Sequence, residues 1–352
     1  MPQSPHRAKP KILIVALKFM GDLIVAAPSV EALRRRFPDC HLTILLRKGL
    51  EEIFLYNRAV DEVLVFDYPA VRRSRGWTRL AVELSWVRAI RRRRFDIVIC
   101  LQPGDRFALW TWFAGSRTRV GPKKQPFAFL FNVPVDVEEG GLDFREYYRK
   151  MVDAIGADTR QTSFKYDYPS EADEWAEAVF RDHQINLSNT IIGIHPGSRD
   201  PVKLWPAENF VQLTECLMKM SGIDVILIKG PNEAETIERF KQMSMRRLVV
   251  ADCSSHISYL AAVLKRCRLY IGNDSGPRHL AAAVGTPTLT LMHSAKLKTW
   301  KVYDESEGHF VLTDKVENPE SDRAYHDSST INTLSAISVE EVVEKVRRIL
   351  SA

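Results

Sequence analysis

The sequence predicts two doubly wound α/β domains facing each other across a central cleft, on three observations. Short β-branched apolar runs alternate with stretches of helical period, the rhythm of βαβ units and parallel sheets. That rhythm breaks once, around residues 157–172, and then resumes. The 352 residues suit two domains at roughly 100–200 residues each.

The first strand is Lys11–Leu17, a continuous apolar run suited to burial on both faces. Lys18-Phe19-Met20-Gly21-Asp22 follows, and a helix runs from about Leu23 to Arg36. His41–Leu46 reads as a strand, Leu50–Tyr56 as a helix and Glu62–Phe66 as a strand. A long helix from about Trp77 to Arg94 leads into the strand Asp96–Leu101, and a further helix begins near Phe144. Polar residues from Ala157 and the segment Tyr168-Pro169-Ser170 read as a linker ending in a helix cap, dividing the chain into domains 1–165 and 166–352. In the second domain the strands are Asn189–His195, Val225–Ile228, Arg268–Ile271 and Thr286–Met292. Its helices are Pro206–Met220, Glu233–Gln242, His256–Lys265 and Ser275–Val284, with a final helix at about Val339–Leu350 after a polar loop, Asp314–Thr333.

Composition narrows the function classes. With 45% apolar and 27% charged residues, the chain is an ordinary globular protein, not a disordered or collagenous one. No apolar run approaches the ~20 residues that span a bilayer, and the basic N-terminus lacks the long apolar core and cleavage site of a signal peptide. Five scattered cysteines without a CxxC pair read as buried thiols in a reducing compartment, so a cytoplasmic protein is expected. Residues 1–160 carry 28 Lys+Arg against 18 Asp+Glu, whereas the remainder is mildly acidic. The first half is therefore expected to meet something anionic. Arg91–Arg94 at a helix C-terminus reads as a run that complements the helix dipole, with no interleaved aromatic platform, and no nucleic-acid partner is expected.

Several motifs are missing. There is no G-x-G-x-x-G after the first strand, no P-loop and no H-E-x-x-H, and no metal-ligand pattern stands out. Neither a cofactor nor a metal is expected. In doubly wound sheets ligands sit at the carboxyl ends of strands, which directs attention to the turns that follow them. Gly21-Asp22 places a carboxylate there, either an ordinary first-turn acid or a general base. His195-Pro196-Gly197-Ser198 lets the backbone approach a ligand, and Lys203 supplies a cation able to reach a phosphate. Lys229-Gly230-Pro231-Asn232-Glu233 puts an acid at the same edge, where it can accept from ribose hydroxyls or simply start a helix. In Ile271–Pro287 a strand ends in the polar turn Asn273-Asp274, and a small-residue helix starts at Ser275-Gly276, an anion site in prospect. Asp274 as a plain cap and His279 as a core histidine are the simpler alternatives.

Together LKFMGD (17–22), HPGS (195–198), KLWP (203–206), GPNE (230–233) and NDSGPRHLAAAVGTP (273–287) resemble the heptosyltransferases of lipopolysaccharide core synthesis, glycosyltransferase family nine, over nearly the whole chain. Lys18 and Phe19 resemble the third core heptosyltransferase subgroup, and Ala16 stands where many members carry a basic residue. The resemblance implies a GT-B fold of two Rossmann-like domains, an ADP-heptose donor, a lipopolysaccharide core sugar as acceptor and an inverting, metal-independent transfer. It implies Asp22 as general base, Ser198 and Lys203 as phosphate-binding groups with Lys203 also catalytic, and Glu233 at the ribose. Asp274 would lie near the donor sugar, with Ser275, Gly276 and His279 at the phosphate-binding helix. The N-terminal domain would then hold the acceptor, with Lys18, Arg72, Arg73 and Arg75 assigned to it, and the C-terminal domain the donor. A cytoplasmic enzyme touching the inner face of the inner membrane is the corresponding expectation. A GT-B transferase using another nucleotide sugar, and a non-catalytic glycan- or nucleotide-binding protein of the same fold, are the alternatives.

Overall fold

A computed structural model describes residues 9–67, 71, 73, 76–138, 140–160, 164–314 and 333–351. The expected loop between Asp314 and Thr333 and the assignments to Arg72 and Arg75 fall on positions outside these residues. The chain divides into two compact units, Met1–Phe164 and Lys165–Ala352.

In the first unit β1 (Lys11–Val15), β2 (His41–Arg47), β3 (Glu62–Phe66), β4 (Ile97–Cys100), β5 (Thr118–Pro122) and β6 (Val133–Val135) form one parallel sheet in the order β3-β2-β1-β4-β5-β6. The helices are α1 (Met20–Arg36), α2 (Glu52–Leu55), α3 (Gly76–Arg93), α4 (Asp105–Phe113) and α5 (Phe144–Asp153). The chain reverses its direction of travel across the sheet between β1 and β4, so these neighbours frame the switch point where such sheets bind ligands. Leu13, Val15, Leu45 and Val98 from the strands pack with Ile90, and Phe66 meets Trp86 and Trp110 edge-on at 5.2 and 5.0 Å.

The second unit repeats the plan. After α6 (Ser170–Asp182), strands β7 (Thr190–His195), β8 (Ile223–Lys229), β9 (Val249–Asp252), β10 (Leu269–Asn273), β11 (Thr288–Met292) and β12 (His309–Thr313) give a parallel sheet ordered β12-β11-β10-β7-β8-β9. Helices α7 (Ala207–Leu217), α8 (Ala234–Met243), α9 (Ile257–Lys265), α10 (Gly276–Ala283), α11 (Leu297–Trp300) and α12 (Val339–Ser351) complete it. Renumbered within the unit, the strand order is that of the first, with β7 and β10 at the switch point. Val339, Val342, Val343 and Val346 of α12 recur at helical spacing and join Trp205, Phe210 and Leu217 in the core.

Several details differ from the sequence expectation. Helix α1 starts at Met20, not near Leu23, which places Asp22 inside its first turn. Pro169 is the N-cap of α6 and Ser170 its first helical residue, and Pro206 caps α7 from outside its first turn. Cys216 is only half-buried, while the other four free cysteines are buried. Strands β5, β6, β9 and β12 and helix α4 carry no clear sequence period. Three of these strands, β6, β9 and β12, are edge strands with short, mixed or half-buried sequences, where sidedness fades.

Gly121 on β5 shows how closely the first unit is packed. A Cβ there would fall 2.3 Å from the Phe131 ring. Gly121→Ala should therefore cost about 1–3 kcal/mol in urea unfolding, and adding Phe131→Leu should restore part of it. A Gly121→Ala protein as stable as the parent would show that the ring moves aside freely.

Candidate functional site

Each unit gathers its polar groups at the carboxyl edge of its sheet. In the first unit the chain leaves β1 through Ala16-Leu17-Lys18 and enters α1 with Phe19 as an extended N-cap. Asp22 is buried, and its two oxygens have separate partners. Oδ2 accepts from the Phe19 backbone N–H at 3.3 Å, and Oδ1 accepts from the Tyr148 hydroxyl of α5 at 3.1 Å. The Lys18 ammonium stands 4.0 Å from Oδ1 and lies over the Phe144 ring. The helix N-terminus, a hydroxyl donor and a cation thus all face the Asp22 carboxylate.

In the second unit His195 ends β7, and its Nε2 lies 3.1 Å from the Glu233 carboxylate. Glu233 also accepts from the Gly230 N–H at 2.6 Å. Asn232 takes the left-handed conformation, with φ of 62°, in the turn that leads to Glu233. A Cβ at Gly197 would lie 1.8 Å from Glu233 Oε1, so the Glu233 carboxylate keeps this position beside a glycine and would have to move aside for any larger residue. Burial would raise the Glu233 carboxyl, but the His195 contact and the Gly230 and Lys229 groups outweigh it and hold the carboxyl below its usual range. His195 Nδ1 is buried with no hydrogen-bond partner among the described residues.

The centre of this edge is Asp274. It follows β10, and its side chain is 3% exposed. Lys203 Nζ reaches its Oδ2 at 2.7 Å from the short turn Pro201–Lys203, and Arg278 Nε lies 3.1 Å from its Oδ1, one turn along α10. Burial alone would raise the Asp274 carboxyl; Arg278 and Lys203 overcome that and hold it low. Two cations against one anion leave a net positive charge beside the N-terminus of α10, where Ser275 is the N-cap and Gly276 the first helical residue. Ser198 is half-buried in the preceding loop, with its Oγ accepting from the Asp200 N–H at 3.3 Å.

His279 sits one residue beyond Arg278 and is turned inward. Its Nε2 faces the Arg278 Nε at 3.3 Å and its Nδ1 the Tyr303 hydroxyl at 3.1 Å. Both ring nitrogens are engaged by the protein, so His279 braces the helix from within. Burial, followed by the charge of Arg278, pushes its pKa well below the ordinary histidine value. Arg73 is exposed, and among the described residues no group of three or more His, Cys, Asp or Glu could hold a metal ion.

The structure therefore brings Lys203, Asp274, Ser275, Gly276 and His279 together, with Glu233 at the neighbouring strand ends, and sets Lys18 beside Asp22. Three functional neighbours were not singled out by sequence. Arg278 and His195 lie within the motifs, and the spacing of Arg278 four residues after Asp274 was a usable signal. Tyr148 is 126 residues from Asp22, and nothing in the sequence connects them.

Residues 84–327 match the family model for glycosyltransferase family 9 (heptosyltransferase). The chain belongs to that family. Lipopolysaccharide heptosyltransferase 3 of Escherichia coli is 21% identical over 341 residues, covering 94% of this chain and 97% of that protein. A family 9 glycosyl transferase of Veillonella parvula superimposes with a TM-score of 0.86 at 24% identity, with 99% of each chain covered. The E. coli heptosyltransferase WaaC, solved with ADP, gives 0.73 at 19% identity over 96% of this chain and 99% of that one. The fold is the GT-B type, two Rossmann-like units, and the protein is a glycosyltransferase.

Two stability tests follow from the second unit. Asp274→Asn leaves the buried Arg278 guanidinium uncompensated and should cost roughly 3–5 kcal/mol in chemical unfolding. Replacing Arg278 by Met as well should recover a large part, and an Asp274→Asn protein of parental stability would contradict the pairing. The histidine acts in a separate pH window. A folded pKa below the unfolded value near 6.5 means stability is complete above pH ~6.5 and falls on acidification, as the unfolded chain takes up the proton. His279→Gln should flatten the stability profile just below pH ~6.5, whereas an unchanged slope would place the titration elsewhere.

Proposed function

We propose that this family 9 enzyme transfers heptose from ADP-heptose to a hydroxyl of a lipopolysaccharide core sugar, with inversion and without a metal. The observation that carries the reading is the Lys203–Asp274–Arg278 group beside the N-terminus of α10. Its surplus positive charge, with the helix dipole and the first-turn N–H groups, suits a departing nucleoside diphosphate. The names of relatives support the sugar and the acceptor class: lipopolysaccharide heptosyltransferase 3 in E. coli, and WaaC solved with ADP-2-deoxy-2-fluoro heptose.

In this reading the second unit binds the donor. Lys203, Ser198 and the Ser275–Gly276 backbone meet the diphosphate, Glu233 accepts from ribose hydroxyls, and Asp274 orients Lys203 beside the sugar. The first unit binds the acceptor through Lys18 and the arginines that include Arg73. Asp22 takes the acceptor hydroxyl proton as the oxygen attacks the anomeric carbon and the bond to the diphosphate breaks, releasing ADP. A single displacement of this kind inverts the anomeric centre. Proton removal comes late, when the attacking hydroxyl has become acidic, so a carboxylate of ordinary basicity suffices. The enzyme acts in the cytoplasm, on an acceptor held at the inner face of the membrane.

A donor panel of ADP-heptose, UDP-sugars and GDP-sugars tests the donor, with transfer from ADP-heptose alone expected and preference for another donor refuting it. Asp22→Asn should lower turnover by about 10²–10⁴ while ADP affinity stays at the parental value. Lys203→Ala should weaken ADP binding, and EDTA should leave the rate unchanged. Full activity in the Asn variant would remove Asp22 from the chemistry. A strict Mg²⁺ requirement would remove the leaving-group role given to Lys203 and α10.

A further inference from the structure

We propose that the outer face of α3 is a docking surface for an anionic lipid bilayer. At 3.6 residues per turn, Trp77, Leu80, Leu84, Arg88, Arg91 and Arg92 fall on the outward half of this helix, with the apolar residues toward its start and the arginines toward its end. All six are exposed; Trp77 is 86%, Leu80 47% and Leu84 42% accessible. The opposite face is the packed one, where Trp86 meets Phe66 and Ile90 is buried. The only acid in the helix, Glu83, is turned away from the outer face. It pairs with Arg106 and accepts from the Trp110 indole N–H at 3.1 Å. The outer face thus carries cationic charge alone.

Charge decides the occupant. A face of exposed Trp and Leu followed by arginines, with no acid of the helix among them, matches helices that lie in the plane of a bilayer surface, with apolar side chains among the headgroups and guanidinium groups at the phosphates. At the helix end Arg91, Arg94 and Arg117, with Asp96, line a cavity of ≈ 350 Å³ that suits a headgroup phosphate. Placement follows from topology. Helix α3 leaves the carboxyl end of β3 and runs back to the amino end of β4, so Trp77 lies at the same sheet edge as Asp22. A lipid-anchored acceptor would reach Asp22 over the edge at which this helix touches the bilayer. The docking surface deepens the reading above and shares with it only the lipid nature of the acceptor.

The test is flotation of the full chain with phosphatidylglycerol–phosphatidylcholine vesicles and with pure phosphatidylcholine vesicles. The parent should float with the anionic vesicles alone, and salt should reduce binding. The triple change Trp77→Ser, Leu80→Ser, Leu84→Ser should weaken binding by roughly tenfold or more, and so should Arg88→Gln with Arg92→Gln, which should also flatten the salt dependence. Both variants should keep parental ADP affinity, thermal unfolding and transfer to a delipidated core oligosaccharide. No flotation of the parent, or parental binding in both variants, overturns the proposal. A concentration-dependent dimer that the serine variant dissociates overturns it too, assigning the face to a second copy of the chain. Absence of transfer from ADP-heptose with vesicle binding intact would overturn the function reading and leave the docking surface standing.

Discussion

The carboxylate of Asp274, buried and held between Lys203 and Arg278, is the constraint on which the second unit's site depends. An ion taken out of water is costly, and the Asp274 and Arg278 side chains, each 3% exposed, offset that cost through each other, through Lys203, and through the Trp300 carbonyl and His279 ring nitrogen that accept from Arg278. Each partner comes from a different local structure: Lys203 from the turn after β7, Asp274 from the end of β10 and Arg278 from the first turn of α10. Neutralising any one of them loosens the other two. The arrangement fixes the start of α10 against the β7 loop and leaves one unit of positive charge where the helix dipole adds to it.

Parallel sheet topology explains why these groups meet at all. Both units use the same strand order, and in both the chemistry-bearing turns follow the strands at the switch point: β1 in the first, β7 and β10 in the second. The backbone must come close there. The Asn273 side chain ties the two turns together, accepting from the Trp205 N–H at 3.0 Å and donating to the Pro196 carbonyl at 2.7 Å. The Trp205 indole then donates to the Ile337 carbonyl, which links the chain just after the Pro201–Lys203 turn to the segment just before α12. Loop geometry at the site is therefore supported from the core.

Much of this was legible in the sequence because periodicity reports burial. The central strands β1, β7 and β10 are buried on both faces and stand out as mainly apolar runs, β11 is as buried but alternates Thr with Leu, and β6 and β12 are short or half-buried and do not stand out. Motif residues such as Asp22, Lys203 and Asp274 were legible as candidates because they follow strands. Their partners were not. Tyr148 reaches Asp22 only through the packing of α5 on α1, and a neighbour 126 residues away leaves no trace in spacing. His279, which the resemblance sets at the phosphate-binding helix, has both ring nitrogens engaged by Arg278 and Tyr303, contacts that no motif spacing shows. Sequence shows which groups share a turn, and only packing shows which way they face.

Family membership fixes the class of reaction, while the division of labour within the site rests on electrostatics. If the Lys203–Asp274–Arg278 group exists to receive a diphosphate, the nucleotide must place its charge there, whatever sugar it carries. A crystal structure of the protein with ADP tests this most directly. The account predicts the diphosphate within hydrogen-bonding distance of Lys203 Nζ and the backbone N–H groups at Ser275–Gly276, with the ribose hydroxyls at Glu233. A diphosphate bound elsewhere, with Lys203 still directed wholly at Asp274, would contradict it.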